Sequence, residues 1–200
     1  MNQQLITLGG GCFWCLEAVY ELVDGVTAVE SGYCNGHVAN PSYEQVCSGT
    51  TGHAEVVRVT FDAERIALHE VLEIFFNIHD PTSLNRQGND IGTQYRSGIY
   101  FHDAAQEAVV REVVAQADAA LQGRVVTEVA PLSNYSRAED FHQDQLHVAH
   151  SYHYRYGLQP TKTRQERDAP IPEAVRAELE WLREINPEGY LFRYPHTDTP

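Results

Sequence analysis

Cys12 is the residue whose type and position most directly indicate chemistry. It follows a glycine triplet, residues 9–11, which itself follows the short apolar and β-branched segment 5–8. Apolar residues then recur at helical spacing, so the glycines join a strand to a helix that begins near Cys12. Unpaired N–H groups and the helix dipole stabilise an anion there. We therefore predict a nucleophilic Cys12 thiol with a lowered pKa; the competing interpretation is an inert cysteine among core aromatics.

The cysteine content points to redox or metal chemistry. The chain has four cysteines, and Cys12 and Cys15 have the two-residue separation of redox sites. Four cysteines in a chain of this length do not resemble a disulfide framework, and in a reducing compartment they more often indicate redox catalysis or metal binding. We therefore expect reduced thiols in a reducing compartment.

Composition excludes several classes of partner. The chain has 200 residues, 42% of them hydrophobic, and a formal net charge of −14. An acidic surface disfavours nucleic acid and anionic membranes. No apolar run is long enough to span a bilayer, and residues 1–4 lack the charged start of a signal peptide. We expect a cytoplasmic monomer with no membrane or nucleic-acid partner.

The periodicity of the chain predicts an α+β fold. The order of elements is strand, helix, strand, strand, helix, strand, followed by one more helix and strand. The expected strands are residues 5–8, 26–31, 55–61, 97–101 and 125–130, and the expected helices cover residues 13–23, 68–78 and 104–121. This order predicts a mixed sheet with a ferredoxin-like split βαβ core packed with helices, followed by a long irregular C-terminal segment.

Two polar, glycine-bearing loops and the C-terminal part complete the outline. Residues 32–52 and 85–96 read as long loops, and loops of that length are uncommon unless functional. We place a catalytic domain at residues 1–158 and an extension at 159–200. One amphipathic helix is expected in the extension from the stripe Val175, Leu179, Leu182 and Ile185.

Three motifs in order resemble the type A peptide methionine sulfoxide reductases. They are GCFW at 11–14, GHAE at 52–55 and GND-x-GTQYRS at 88–97, and EDFHQD at 139–144 is similar to the late motif of that family. The resemblance covers most of residues 5–145. It implies reduction of methionine-S-sulfoxide, free or in proteins, with an external thiol as reductant and no bound cofactor.

The resemblance assigns the two central roles to Cys12 as nucleophile and Glu55 as general acid. A sulfoxide has an electrophilic sulfur and a basic oxygen, so its reduction needs a thiolate and a proton donor. A carboxylic acid that stays neutral near pH 7 requires a pKa raised by desolvation. Glu55 lies between Ala54 and Val56, a semi-apolar setting. Without the motif, a solvated strand-edge carboxylate would be the simpler interpretation.

Five further residues receive roles from the resemblance. Tyr43 and Tyr95 match the tyrosines that hold the sulfoxide oxygen, and phenols donate hydrogen bonds without charge at neutral pH. Asp90 matches a carboxylate that orders the site, although alone it would read as a turn residue. Phe13 and Trp14 match the aromatic cradle for the substrate methyl group.

The recycling step departs from the family pattern. Many members carry recycling cysteines near the C-terminus, whereas this chain has none after Cys47. The sulfenic acid left on Cys12 must be reduced before it oxidises further. Cys15, one helical turn away, is the favoured resolving cysteine, and Cys34 in a flexible loop is the second; Cys47 fits a structural role. Direct reduction by thioredoxin, glutaredoxin or glutathione stays open.

Two other functions compete with sulfoxide reduction. A general thiol–disulfide oxidoreductase would use Cys12 and Cys15, but disulfide exchange has no need of Glu55 and two tyrosines. The run His142, His147, His150 and His153 invites a metal- or redox-sensing module. No paired Cys-x-x-Cys motif supports zinc, so we expect no metal site.

Overall fold

Eight strands and four α-helices make up residues 2–143, the part of the chain that the computed structural model describes. The strands are β1 Gln3–Gly9, β2 Val26–Cys34, β3 Ala54–Asp62, β4 Arg86–Gln87, β5 Asp90–Ile91, β6 Gly98–Phe101, β7 Glu128–Pro131 and β8 Ser136–Arg137. The α-helices are α1 Phe13–Tyr20, α2 Tyr43–Cys47, α3 Leu68–Ile78 and α4 Ala104–Ala120, and short 3₁₀ turns cover Thr93–Tyr95 and Asp140–His142.

The main sheet has six strands in the order β7-β6-β1-β3-β2-β8. β1 and β2 run parallel because each pairs antiparallel with β3 between them, and α1 connects them. In the same way β3 and β6 flank β1, and α3 lies between them in the chain. Two interleaved split βαβ units result, so the predicted α+β class with a ferredoxin-like core is confirmed.

One face of the sheet carries the hydrophobic core. On β3, Val57, Val59 and Phe61 alternate toward this face, as the period of two in a strand requires. The helices α1, α3 and α4 supply the facing apolar stripe, which includes Leu16, Leu72, Phe75, Val110 and Val113. Packing in the core holds α1 against β2 and β3. Because the turn that carries Cys12 leads directly into α1, its position is held as well.

Several element boundaries differ from the prediction. Helix α1 ends at Tyr20 rather than at residue 23, and Gly25, with a φ of 92°, turns the chain into β2. Strand β2 continues to Cys34, since its pairing with β3 persists through Tyr33 opposite Glu55 and Cys34 opposite Ala54. Local sequence did not indicate this extension, because it depends on a partner strand.

Both expected loops contain regular structure. The first holds the helix α2, whose capping residue Ser42 accepts a hydrogen bond from the Gln45 amide at its side chain and donates its own backbone N–H to Oε1 of Gln45. The second holds the β4–β5 hairpin, in which Gln87 pairs with Asp90. The expected extension at 159–200, its amphipathic helix, the irregular C-terminal segment and the histidines after His142 lie outside the described residues.

Candidate active site

A glycine turn at the end of β1 presents Cys12. Gly11 has a φ of +92°, and a Cβ there would lie 2.6 Å from Cγ of Gln87, so a glycine is required. Cys12 is the N-cap residue of α1, and its carbonyl accepts the Cys15 amide at 3.1 Å. The side chain is half-buried. The predicted position of Cys12 at a helix start is thus the observed one.

The Cys12 thiol is neutral in the resting protein. A hydrogen bond with the Cys15 side chain, burial and the charge of Asp90 raise its pKa, while the Trp14 amide lowers it. The expected lowering of the pKa is therefore wrong for this state. The helix-start N–H contributes as anticipated, but loss of water and the neighbouring thiol outweigh it.

Glu55 is a buried acid beside Cys12. It occupies the second position of β3, is 1% exposed, and accepts the Phe13 amide at its Oε2 at 3.4 Å. Its Oε1 has no hydrogen-bond partner among the described residues. Burial, Cys12 and Asp90 raise its pKa to about 8 against the lowering effect of Phe13. At neutral pH, Glu55 therefore holds a proton on a carboxyl group with one oxygen available.

Three elements bring Tyr43, Tyr95 and Asp90 to the same place. Tyr43 begins α2, is half-buried, and its phenol hydrogen-bonds with Cys47. Tyr95 ends a 3₁₀ turn, and burial together with Glu55 and Asp90 raises its pKa to about 12. Asp90 is exposed on the β4–β5 hairpin, near enough for its charge to act on Cys12, Glu55 and Tyr95.

Phe13 and Trp14 form an aromatic wall next to Cys12. Their ring centroids are 5.9 Å apart, and Phe13 is buried whereas Trp14 is half-buried. His142 packs against both, at 5.4 Å from Phe13 and 5.3 Å from Trp14. The indole N–H of Trp14 donates to the His142 carbonyl at 2.9 Å. Trp14 and Cys12 are both partly buried and pack against the hydrophobic core that contains Phe13.

The remaining cysteines occupy different environments. Cys15 is half-buried on α1 next to Cys12, and no disulfide joins any of the four cysteines. Cys34 is fully buried in β2 against Ala54, Val56 and Tyr100. It was expected in a flexible loop, and that expectation is wrong, because β2 extends through it and turns its side chain to the sheet face opposite the main core. Its position disfavours a role in recycling.

Cys47 lies closer to the site than its sequence context indicates. It is exposed at the end of α2, its side chain hydrogen-bonds with the Tyr43 phenol, and it is near enough to Tyr95 to add to the increase in the pKa of that phenol. The structural role of Cys47 stays a prediction.

Three residues beside the site were not selected from the sequence as site residues. Tyr33 faces Glu55 across the β2–β3 pair, and its phenol donates to Glu139 at 3.0 Å. Glu139 also accepts the Tyr43 amide at 2.9 Å, and His142 packs on the Tyr43 ring at 4.6 Å. Glu139 and His142 belong to the late motif, which was the available signal; Tyr33 had none.

The described residues provide no set of three or more His, Cys, Asp or Glu side chains that could hold a metal ion. The metal hypothesis rested on His142 and on His147, His150 and His153, of which only His142 lies within residues 2–143. Over the same residues, none of the helices combines the length and apolar character needed to cross a membrane.

Comparison with known proteins gives consistent matches. A family model described as peptide methionine sulfoxide reductase matches residues 4–171. Peptide methionine sulfoxide reductase MsrA of Saccharolobus solfataricus is 54% identical over 149 residues, which are 74% of this chain and 84% of that protein. Reduced Mxr1 from Saccharomyces cerevisiae has a TM-score of 0.70 at 37% identity, covering 74% of this chain and 86% of its own. Mxr1 in complex with Trx2 matches with a TM-score of 0.53 at 28% identity, covering 70% of this chain and 83% of its own.

Proposed function

The chain belongs to the peptide methionine sulfoxide reductase family, and on this premise we propose that it reduces methionine-S-sulfoxide to methionine with thiols as the reductant. The substrate is the free amino acid or an oxidised methionine in a protein. One observation carries the assignment of this activity to the site. Glu55, buried and with a pKa raised to about 8, lies beside the Cys12 thiol at the start of α1.

The first step transfers oxygen from the substrate to Cys12. Sγ of Cys12 attacks the sulfoxide sulfur while Glu55 gives its proton to the sulfoxide oxygen. The thiol proton of Cys12 replaces the proton that Glu55 lost. The hydroxyl group then passes from the substrate sulfur to Sγ of Cys12: the S–O bond of the substrate and the new Sγ–S bond break as an Sγ–O bond forms, which leaves a thioether and a sulfenic acid on Cys12. The Cys12 thiol and the Glu55 carboxyl group are both neutral before the reaction. This supports the proposed step, because the site already holds the two protons that are transferred.

Four residues orient the substrate in the proposed reaction, and Asp90 acts on the reacting groups. The phenols of Tyr43 and Tyr95 donate hydrogen bonds to the sulfoxide oxygen, and their raised pKa values keep them protonated donors. Phe13 and Trp14 contact the methyl group and exclude water from it. The pKa of Cys12 is raised mainly by Cys15 and burial and the pKa of Glu55 mainly by burial, and the charge of Asp90 adds a smaller increase to both.

Cys15 is the proposed resolving cysteine. Its thiolate attacks the sulfur of the Cys12 sulfenic acid, a disulfide forms, and the hydroxyl leaves as water with the proton of Cys15. The hydrogen bond between the two side chains supports this role, as does their spacing across the first turn of α1. An external dithiol then reduces the disulfide.

Thioredoxin is the proposed external reductant, with glutaredoxin or glutathione as alternatives. The crystal structure of yeast Mxr1 with Trx2 supports this choice, since that relative shares the fold at 28% identity. The cytoplasmic location and monomeric state belong to the same proposal. They rest on the acidic composition and on cysteines without disulfide bonds. A general thiol–disulfide oxidoreductase is not favoured, because exchange between disulfides makes no use of a buried proton donor.

Steady-state reduction of the two sulfoxide epimers tests the activity. We expect dithiothreitol-driven reduction of the S epimer of methionine sulfoxide, no turnover of the R epimer, and loss of turnover in Cys12→Ser. Equal use of both epimers, or retained activity in Cys12→Ser, would contradict the proposal.

A single turnover without reductant tests the recycling step. Mass spectrometry of the protein after one equivalent of substrate should find a Cys12–Cys15 disulfide. Cys15→Ser should stop at the sulfenic acid, and the control Cys34→Ser should form the disulfide as the unaltered chain does. A bond between Cys12 and Cys47 would transfer the resolving role to Cys47.

A further inference from the structure

The carboxylate of Glu139 joins two elements that flank the site. Its Oε1 accepts the backbone N–H of Tyr43 at 2.9 Å, and its Oε2 accepts the phenol of Tyr33 at 3.0 Å. These partners lie 96 and 106 residues away in the chain. One side chain therefore connects the start of α2 with the end of β2.

The hydrogen bond from Tyr43 to Glu139 uses a backbone N–H that has no acceptor within α2. The first N–H groups of a helix have no intrahelical acceptor, and the Ser42 side chain serves the Gln45 amide instead. Because α2 has only five residues, its own hydrogen bonds hold Tyr43 weakly. The Glu139 carboxylate thus limits where the Tyr43 phenol can lie.

The charge on Glu139 persists at neutral pH. Burial raises its pKa, but hydrogen bonds from the Tyr43 amide, its own amide and the Tyr33 phenol outweigh burial and lower it. A charged acceptor forms stronger hydrogen bonds than a neutral one. An amide side chain in its place keeps the shape and loses both the charge and one of the two accepting atoms.

His142, three residues after Glu139, contacts both Tyr43 and the aromatic wall formed by Phe13 and Trp14. His142 is 2% exposed, its ring packs on Tyr43 at 4.6 Å, and its carbonyl accepts the Trp14 indole N–H at 2.9 Å. Nε2 of His142 lies 3.9 Å from Oε2 of Glu139. Two residues with proposed substrate contacts, Tyr43 and Trp14, are therefore held by one short segment, residues 139–142.

We propose that Glu139 is a positioning residue for sulfoxide reduction, which acts by fixing the Tyr43 phenol over the site. This inference rests on the proposed function, because it assumes that the Tyr43 phenol binds the sulfoxide oxygen. Glu139 itself makes no contact with substrate. Its loss should lower kcat more than it raises KM, since the hydrogen bond from Tyr43 matters most when charge develops on the oxygen.

A double-mutant cycle tests the coupling between the two residues. We expect Glu139→Gln to lower kcat/KM for S-sulfoxide about tenfold, the effect of losing one charge-assisted hydrogen bond. In the Tyr43→Phe background the same change should cost less than about twofold, because the phenol it positions is gone. The matched cycle with Tyr95→Phe should show independent, multiplying losses, since a separate turn at Thr93–Tyr95 carries that phenol.

Three results would overturn the proposal: full activity in Glu139→Gln, no effect of Tyr43→Phe, or losses in the Tyr43 cycle that multiply. If Glu139→Gln does not fold, Glu139→Asp carries the same cycle, since it keeps the charge but shortens the reach.

An activity-independent measurement separates this proposal from the proposed function. Amide hydrogen exchange at Tyr43 should become at least about tenfold faster in Glu139→Gln. It should change little in Tyr33→Phe, which removes only the other partner of Glu139. Unchanged exchange at Tyr43 in Glu139→Gln contradicts the positioning role. If exchange at Tyr43 is faster in Glu139→Gln but the unaltered chain reduces no sulfoxide, the contact between Glu139 and Tyr43 is supported and the proposed activity is rejected.

Discussion

Replacing Glu55 by Gln should lower activity and raise folding stability. Both effects come from the raised pKa of the buried Glu55 carboxyl group. With a pKa of about 8, Glu55 is about 90% protonated at pH 7, whereas a carboxyl group at the ordinary value of 4.5 would be about 0.3% protonated. The acid form is therefore abundant at working pH. Loss of a general acid costs about 10² to 10⁴ in rate, so kcat/KM of Glu55→Gln should fall by that factor.

The pH dependence of activity follows from the same pKa. For the unaltered chain, kcat/KM should stay constant up to about pH 8 and then fall about tenfold for each further pH unit, as Glu55 loses its proton. Glu55→Gln should lack this alkaline decline, since Gln does not titrate.

Stability should change in the other direction. Well below pH 4.5, Glu55 is protonated in both the folded and the unfolded chain, so it adds no pH-dependent cost to folding. As pH rises from 4.5 to about 8, only the folded chain keeps the proton, so folding stability is lost progressively. At pH 7 the loss amounts to about 3 kcal/mol, and it reaches about 5 kcal/mol above pH 8. Glu55→Gln removes this cost and should be more stable at pH 7 by about 3 kcal/mol.

Urea unfolding at pH 4.5, 7 and 8.5, together with kcat/KM over the same range, measures both effects. The gain in stability of Glu55→Gln should be near zero at pH 4.5 and should grow with pH. Glu112→Gln, on an exposed position of α4, is the control and should change neither quantity. A stability gain independent of pH, or an alkaline decline that survives in Glu55→Gln, would refute the reasoning.

Three further outcomes are expected. Asp90→Asn should move the alkaline decline of kcat/KM to lower pH by about half a unit, since its exposed and screened charge raises the pKa of Glu55; a shift to higher pH would contradict this. Trp14→Phe keeps an aromatic face but loses the hydrogen bond to the His142 carbonyl, so KM should rise about three- to tenfold, measured with S-sulfoxide in the steady state. Cys34→Ser places a hydroxyl in a buried apolar cluster and should lower the free energy of unfolding by about 1–3 kcal/mol. Thioredoxin-driven turnover of the folded variant should be unchanged. A loss of recycling would make Cys34 a candidate resolving cysteine again.

The sequence alone determined the parts of this protein that depend on short-range chemistry. Alternating apolar residues in β3 and the helical stripe of α3 gave the elements and, through their order, the α+β class. The glycine turn placed Cys12 at a helix start, because backbone freedom at Gly11 is a local property. The motifs around Cys12 and Glu55 were sufficient to indicate the family and the reaction.

Tertiary structure decided what depends on neighbours that are distant in the chain. Strand pairing with β3 drew Cys34 into a buried position, although its glycine-rich surroundings resemble a loop. Burial and the approach of Cys15 and Asp90 set the pKa of Cys12 upward, against the local effect of the helix start. The Glu139 contacts to Tyr33 and Tyr43 span about a hundred residues. Propensity and spacing act over a few residues, whereas desolvation and pairing depend on which surfaces the folded chain brings together, and only the fold contains that information.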